Sequence, residues 1–230
     1  MEHSQTEINE SLVQQNKPLR LRVTEIFFSL QGETRTIGIP TVFIRLTGCP
    51  LRCGYCDTSY AFQGGEWMEL DEILLMTKQF NTRFVTVTGG EPLAQKACLN
   101  LLTNLCDLGY MVSLETSGAM DISGVDQRVV TVMDIKTPGS GEVNKNLFEN
   151  IRFVKKIDQV KFVICDRADY EWSKDLLSRY GLPEICEILF SPSFGQLEAG
   201  VLADWILSDQ LPVRFQLQLH KLLWGDEPGR

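Results

Sequence analysis

The chain has 230 residues, 43% of them hydrophobic and 23% charged, the proportions of an ordinary globular domain with one sizeable core. Thirty acidic against 22 basic side chains give a net charge of −8 with no dense basic stripe, which argues against direct nucleic-acid binding. No apolar run approaches the roughly 18 residues of a membrane span.

Residues 1–18 are polar and lack the basic start and apolar stretch of a secretory signal. They read as a mobile extension of a cytoplasmic protein, ahead of a single domain over residues 19–230. Residues 21–28 and 41–47 are strand candidates, joined by a loop punctuated by Gly and Pro. A cysteine-rich loop follows, to about Gly65. Leu70, Ile73 and Leu74 then suggest a helix, and residues 84–88 a strand. Ala97, Leu101 and Leu105, flanked by Cys98 and Leu102, stripe one helical face. Residues 111–115 and 129–134 are strand candidates. Leu147, Ile151 and Val154 mark a helix, residues 160–165 a strand, and residues 172–180 a helix. A strand over 187–190, a helix over 197–207 and a last strand over 213–219 complete the series.

Alternating strands and helices predict an α/β fold with a parallel sheet, and short apolar strands fit a sheet covered on both faces. About six such units fall short of a closed eight-fold barrel, so a partial (β/α) barrel is expected. Chemistry then belongs to the loops at the carboxyl ends of the strands.

Seven cysteines are too sparse for a disulfide scaffold in a chain of this size. Cys98, Cys106, Cys165 and Cys186 read as small buried hydrophobes. Cys49, Cys53 and Cys56 form C-x3-C-x2-C directly after a predicted strand, with Gly48, Pro50 and Gly54 permitting a tight path. Structural zinc usually takes four protein ligands, and the chain has no second C-x2-C; its two histidines are His3 and His220. Three thiolates fit a cubane iron–sulfur cluster with one open iron, with a zinc site completed by a distant Cys or His as the alternative. Thr88-Gly89-Gly90-Glu91-Pro92 ends another strand, where two glycines allow close backbone approach to a ligand, or simply make a turn before a helix.

The cysteine spacing, with Tyr55 before the last cysteine, and the Gly-Gly-Glu-Pro motif resemble the signatures of the radical S-adenosylmethionine superfamily. The resemblance implies a [4Fe-4S] cluster on Cys49, Cys53 and Cys56. It implies S-adenosylmethionine contacts from Tyr55, Asp57, Gly90 and Glu91, and more weakly from Glu115, Ser117, Asp134, Lys136 and Ser191. For each of the last five a structural role is the alternative. Gln31-Gly32-Glu33, the run from Phe43 to Cys49, Cys56-Asp57-Thr58, Glu115 to Gly118 and the region of His220 are similar to the 7-carboxy-7-deazaguanine synthase family. The likeness runs from about residue 20 to the C-terminus, departing at Thr34, where relatives often carry Gly.

That family acts on 6-carboxy-5,6,7,8-tetrahydropterin. A deoxyadenosyl radical takes hydrogen from C6, the ring contracts, and ammonia leaves to give 7-carboxy-7-deazaguanine, on the route to queuosine-type deazapurines. By resemblance Leu30, Gln31, Gly32, Glu33, Arg45, Thr88 and His220 bind the pterin. Glu33 suits its ring-edge donors and Arg45 its carboxylate. Thr58 is implied as a ligand of Mg2+, a hard cation that takes few protein oxygens. The resemblance also implies a flavodoxin or ferredoxin electron donor and a homodimer. Rival readings are another radical enzyme, such as a glycyl-radical activase, and a non-enzymatic metal-binding module.

Overall fold

A computed structural model describes residues 18–225, 227 and 229. The expected polar extension lies outside them, save for Pro18. Nine strands make one sheet: β1 (Arg20–Leu30), β2 (Pro40–Leu46), β3 (Glu66–Glu69), β4 (Phe84–Gly89), β5 (Met111–Thr116), β6 (Val130–Asp134), β7 (Gln159–Ile164), β8 (Glu187–Pro192) and β9 (Arg214–Phe215). Their order is β3-β1-β2-β4-β5-β6-β7-β8-β9. From β2 to β9 neighbours run parallel. β1 is antiparallel to both β2 and β3. The sheet has two edges and stays open. This is the expected partial barrel, with an antiparallel hairpin at its front.

The central strands are buried almost throughout because both faces are covered. Ile44, Val87, Leu114, Val160 and Phe162 have no exposed surface. Helix α1 (Leu70–Thr77) and helix α2 (Cys98–Asp107) lie on this sheet. In α2 Cys98, Leu101, Leu102 and Leu105 bury the i, i+3, i+4, i+7 face. Each fully buried leucine contributes about 1.5–3 kcal/mol. Helix α3 (Arg167–Tyr180) begins where the Asp166 carboxylate accepts the Asp169 N–H and ends at Gly181, whose left-handed φ of 59° lets its N–H reach Leu177 O. Helices α4 (Leu182–Ile185), α5 (Ala199–Ser208) and α6 (Leu219–Trp224) follow. Among the described residues no helix is long and apolar enough to cross a membrane.

Three elements differ from the sequence expectation. The helix marked by Leu147, Ile151 and Val154 is a 3-10 segment, Phe148–Phe153. There the buried Asn150 side chain donates to Gly118 O and Met120 O and accepts the Ile122 N–H, pulling the segment onto the preceding loop. The last strand shrinks to Arg214–Phe215. Beyond it Gln216 N–H still reaches Phe190 O, but Leu219 N–H turns to Gly32 O and α6 begins. His220 therefore stands on a helix, not at a strand end. Strand β3 was not anticipated: its Glu-Trp-Met-Glu sequence is largely exposed and lacks apolar alternation.

Candidate active site

A cavity of about 520 Å³ opens at the carboxyl ends of the parallel strands. The loop over 31–39 walls one side, its base closed by Gln31 N–H to Ile39 O and Gly38 N–H to Gln31 O. Thr34, at the departure from the family pattern, is buried there and accepts the Thr36 N–H on its hydroxyl. Its φ is not positive, so glycine is not required.

Cys49, Cys53 and Cys56 all line the cavity. Backbone bonds fix their loop from several sides: Gly48 N–H to Ala61 O, Glu91 N–H to Gly48 O, and Gly54 N–H to Ser140 O, all within 3.0 Å. The Glu142 carboxylate accepts the Arg52 N–H at 2.7 Å. Burial pushes the Cys49 and Cys53 thiols up, so a metal must displace their protons. The glycine-rich turn presses against the same loop. A side chain on Gly90 would place its Cβ 2.2 Å from Gly48 O and 2.8 Å from Cys49 Cβ. Gly89 has a φ of +148°, with Leu46 backbone just as close. Cys98, Cys106 and Cys186 are buried, and Cys165 is half-buried.

Tyr55, Ser117, Asp134 and Lys136 line the half of the cavity nearest this loop. Lys136 Nζ lies 3.0 Å from Asp134 Oδ2. Burial disfavours the Lys136 charge, but Asp134, together with Cys53 and Cys56, outweighs it and raises the pKa. The Tyr55 hydroxyl and Asp134 Oδ1 are buried without a hydrogen-bond partner, as expected of groups awaiting a polar ligand. Of the other residues implied for the cofactor, Asp57 lines the cavity beside Glu33 and His220, Glu115 lines it beside Gln31, and two lie outside the lining. Glu91 is wholly buried and is not among the lining residues; its carboxylate is taken up by Leu93, Thr116 and Ser117. Ser191 lies within β8, buried, and Ser193 reaches the cavity in its place.

Leu30, Gln31, Gly32, Glu33, Arg45, Thr88, Glu115 and His220 line the opposite half. Arg45 Nε sits 2.7 Å from Glu25 Oε1, which also accepts the Tyr60 hydroxyl at 2.7 Å. The guanidinium lies 5.5 Å from the Phe27 ring, itself stacked on Phe43. Gln31, implied as a pterin contact, lines the cavity and has its amide engaged by the protein. Its Nε2 donates to Thr86 Oγ1 and Glu115 Oε1, and its Oε1 accepts the Glu33 N–H. It orients the Glu115 carboxylate and fixes the backbone of Glu33. Glu115 also accepts from Thr88 Oγ1 at 2.9 Å, and burial, with the Glu33 charge, pushes its carboxyl up.

Glu33 is bound by the Lys161 ammonium and by Gln218 Nε2. Burial pushes its carboxyl up, but Lys161 prevails and holds it below the ordinary value. Glu33, Asp57 and His220 bring ligand atoms within 4.8 Å of one another. Burial also raises Asp57; its His220 hydrogen bond and the nearby Lys221 and Lys161 charges prevail and hold it at about 2. Thr58 lines the cavity beside it, with Oγ1 3.8 Å from Cys56 Sγ. Sequence reasoning missed Glu25, Tyr60, Gln218 and Lys161. A lysine inside the apolar run of β7 was the one visible signal.

Comparison with known proteins bears on family and fold. Residues 43–129 match the Radical SAM superfamily. A 7-carboxy-7-deazaguanine synthase of Chlorobaculum tepidum is 44% identical over 210 residues, covering 90% of this chain and 96% of its own. Those of Koribacter versatilis and Thermoplasma acidophilum are 40% and 37% identical, over 90% of this chain and 98% and 99% of theirs. Among solved structures, QueE from Escherichia coli has the same fold, with a TM-score of 0.72 at 22% identity over 87% of this chain and 95% of that one.

Proposed function

The chain belongs to the 7-carboxy-7-deazaguanine synthase family of the radical S-adenosylmethionine superfamily, and on that premise we propose how its cavity works. The reaction is contraction of 6-carboxy-5,6,7,8-tetrahydropterin to 7-carboxy-7-deazaguanine with loss of ammonia. One observation carries this reading: three cysteines share a single cavity with a guanidinium and two oriented carboxylates.

Cys49, Cys53 and Cys56 would hold the [4Fe-4S] cluster, and the donor set fits it, with the glycine-rich turn packed close behind. When bound, the cluster supplies the electron that cleaves S-adenosylmethionine into a hydrogen-abstracting species. Gly90, Tyr55, Ser117, Asp134 and Lys136 hold that cofactor, the orphaned Tyr55 and Asp134 oxygens gaining partners. Glu91 serves from beneath, fixing the turn. Arg45, clamped by Glu25 and Tyr60, offers its free guanidinium nitrogens to the pterin carboxylate. Glu33 and Glu115 accept from ring and amino N–H groups, with Thr88 and His220 completing the wall. Thr58 would hold Mg2+, and the ionised Asp57 beside it supplies a hard, anionic surrounding. The 31–39 loop and the Phe27–Phe43 stack keep water from the reacting centre. A flavodoxin or ferredoxin as reductant, a homodimer and a cytoplasmic setting complete the proposal.

Anaerobic incubation of reconstituted protein with S-adenosylmethionine, reductant, Mg2+ and the carboxytetrahydropterin tests it. Deazaguanine formation is expected. Deoxyadenosine released without deazaguanine would instead favour a radical enzyme of other specificity, and a colourless zinc protein would remove the radical chemistry altogether.

A further inference from the structure

We propose that Glu33 and Lys161 together read the 2-amino-4-oxo edge of the pterin, with Lys161 selecting for the oxygen at position 4. The inference rests on the proposed substrate and deepens it.

Lys161 is the third residue of β7, whose other five residues are all buried. A charge in the middle of a parallel strand costs several kcal/mol of desolvation, and an apolar residue would serve the core better. Its side chain, 12% exposed, crosses the cavity to Glu33, 128 residues away in the 31–39 loop. Both line the same cavity. Asp134, Glu115 and Asp57, all acidic, also interact with its charge. The ammonium is thus a charged donor whose charged neighbours are carboxylates.

The substrate edge presents, in sequence, an exocyclic amino group, a ring N–H and a carbonyl oxygen: donor, donor, acceptor. The protein presents the complement: Glu33 Oε1, Glu33 Oε2, then Lys161 Nζ beside Oε2. Each carboxylate oxygen has two lone-pair directions, so Glu33 can keep Gln218 and Lys161 and still accept from the edge. Lys161 donates to the carbonyl oxygen with a proton that its bond to Glu33 does not use. A 4-amino analogue would set an N–H group against the ammonium and turn the ring nitrogen between the two amino groups into an acceptor facing Glu33, leaving both protein groups mismatched.

The test compares the 4-oxo substrate with its 2,4-diamino analogue on reconstituted holoenzyme, wild type and Lys161→Met, with Lys161→Gln as a neutral donor. On wild type the analogue should inhibit at least about tenfold more weakly than the 4-oxo compound binds. In Lys161→Met the KM for the 4-oxo substrate should rise about tenfold or more, and the oxo-to-amino preference should fall by the lysine's share, leaving only what Glu33 sets at the ring nitrogen. Lys161→Gln should recover part of that preference. A merely structural lysine would alter rates but not the preference. Equal affinity of wild type for the two compounds overturns the inference even if no variant folds, as does an unaltered preference in Lys161→Met. Wild type that binds and turns over neither compound overturns the proposed substrate itself.

Discussion

The Glu91 carboxylate accepts the backbone N–H of Ser117 at 2.7 Å, tying the glycine-rich turn after β4 to the end of β5. It also accepts the Ser117 and Thr116 hydroxyls and the Leu93 N–H. Every neighbour is a donor, so only an acceptor-only group satisfies them. Glu91→Gln would turn an amide NH2 toward these donors. It should lower stability by about 1–3 kcal/mol, read as a shifted urea midpoint of the metal-free protein. A midpoint equal to wild type would show that the strut carries no weight.

Gly90→Ala drives a methyl group into Gly48 O and Cys49, and those atoms are backbone and loop base, not flexible tips. The cysteine loop must move. Reconstituted Gly90→Ala should bind less iron and cleave S-adenosylmethionine at least about tenfold more slowly, while the metal-free protein keeps its far-ultraviolet dichroism. Full iron content with normal cleavage would contradict this.

Arg45→Lys keeps the charge but loses the planar fork. A lost charged hydrogen bond costs about 1.5–3 kcal/mol, so the substrate KM should rise about 10- to 150-fold. Deoxyadenosine formation without substrate should be spared. Glu25→Gln should show a smaller rise of the same kind, since Glu25 only aims the guanidinium. Steady-state kinetics on both variants decide it, and an unchanged KM in Arg45→Lys would remove Arg45 from the substrate site.

The 31–39 loop is anchored by Arg35, whose Nε lies 3.0 Å from Glu187 Oε2 and whose N–H reaches Gln159 Oε1. Burial pushes the Glu187 carboxyl up, but Arg35, Gln159 and Arg214 prevail and hold it below its ordinary 4.5. A depressed carboxyl contributes its full stability above the unfolded pKa and loses it as pH falls through the folded value. Metal-free wild type should therefore lose more melting temperature between pH 6 and about pH 3.5 than Glu187→Gln does. Parallel losses in the two proteins would refute the assignment.

Much of this arrangement was readable from the chain because buried parallel strands are short apolar runs and catalytic loops follow them. Residues 84–88 and 111–115 were found as strands for that reason, and the cysteine loop by its spacing. Strand β3 was invisible because it pairs only along an edge and carries exposed side chains. Helix α6 was hidden because Leu219 is recruited by Gly32, a contact between distant parts of the chain. Gln31 illustrates the same limit: its chemistry suited a substrate edge, but its neighbours Thr86 and Glu115 come from strands far along the sequence. Residue type shows what a side chain can do, and the packing of remote strands decides which task it is given.

The front hairpin of β1 and β2 carries Glu25, Phe27, Phe43 and Arg45, with Gln31 and Glu33 on its connecting loop, whereas Gly90, Ser117, Asp134 and Lys136 stand at the ends of β4, β5 and β6. The groups assigned to the pterin and those assigned to the nucleoside cofactor are thus inherited largely on different stretches of polypeptide. A descendant that rewrote the hairpin would change the grip on the carboxylate and on one side of the ring, while Thr88, Glu115, Lys161 and His220 would still face the other.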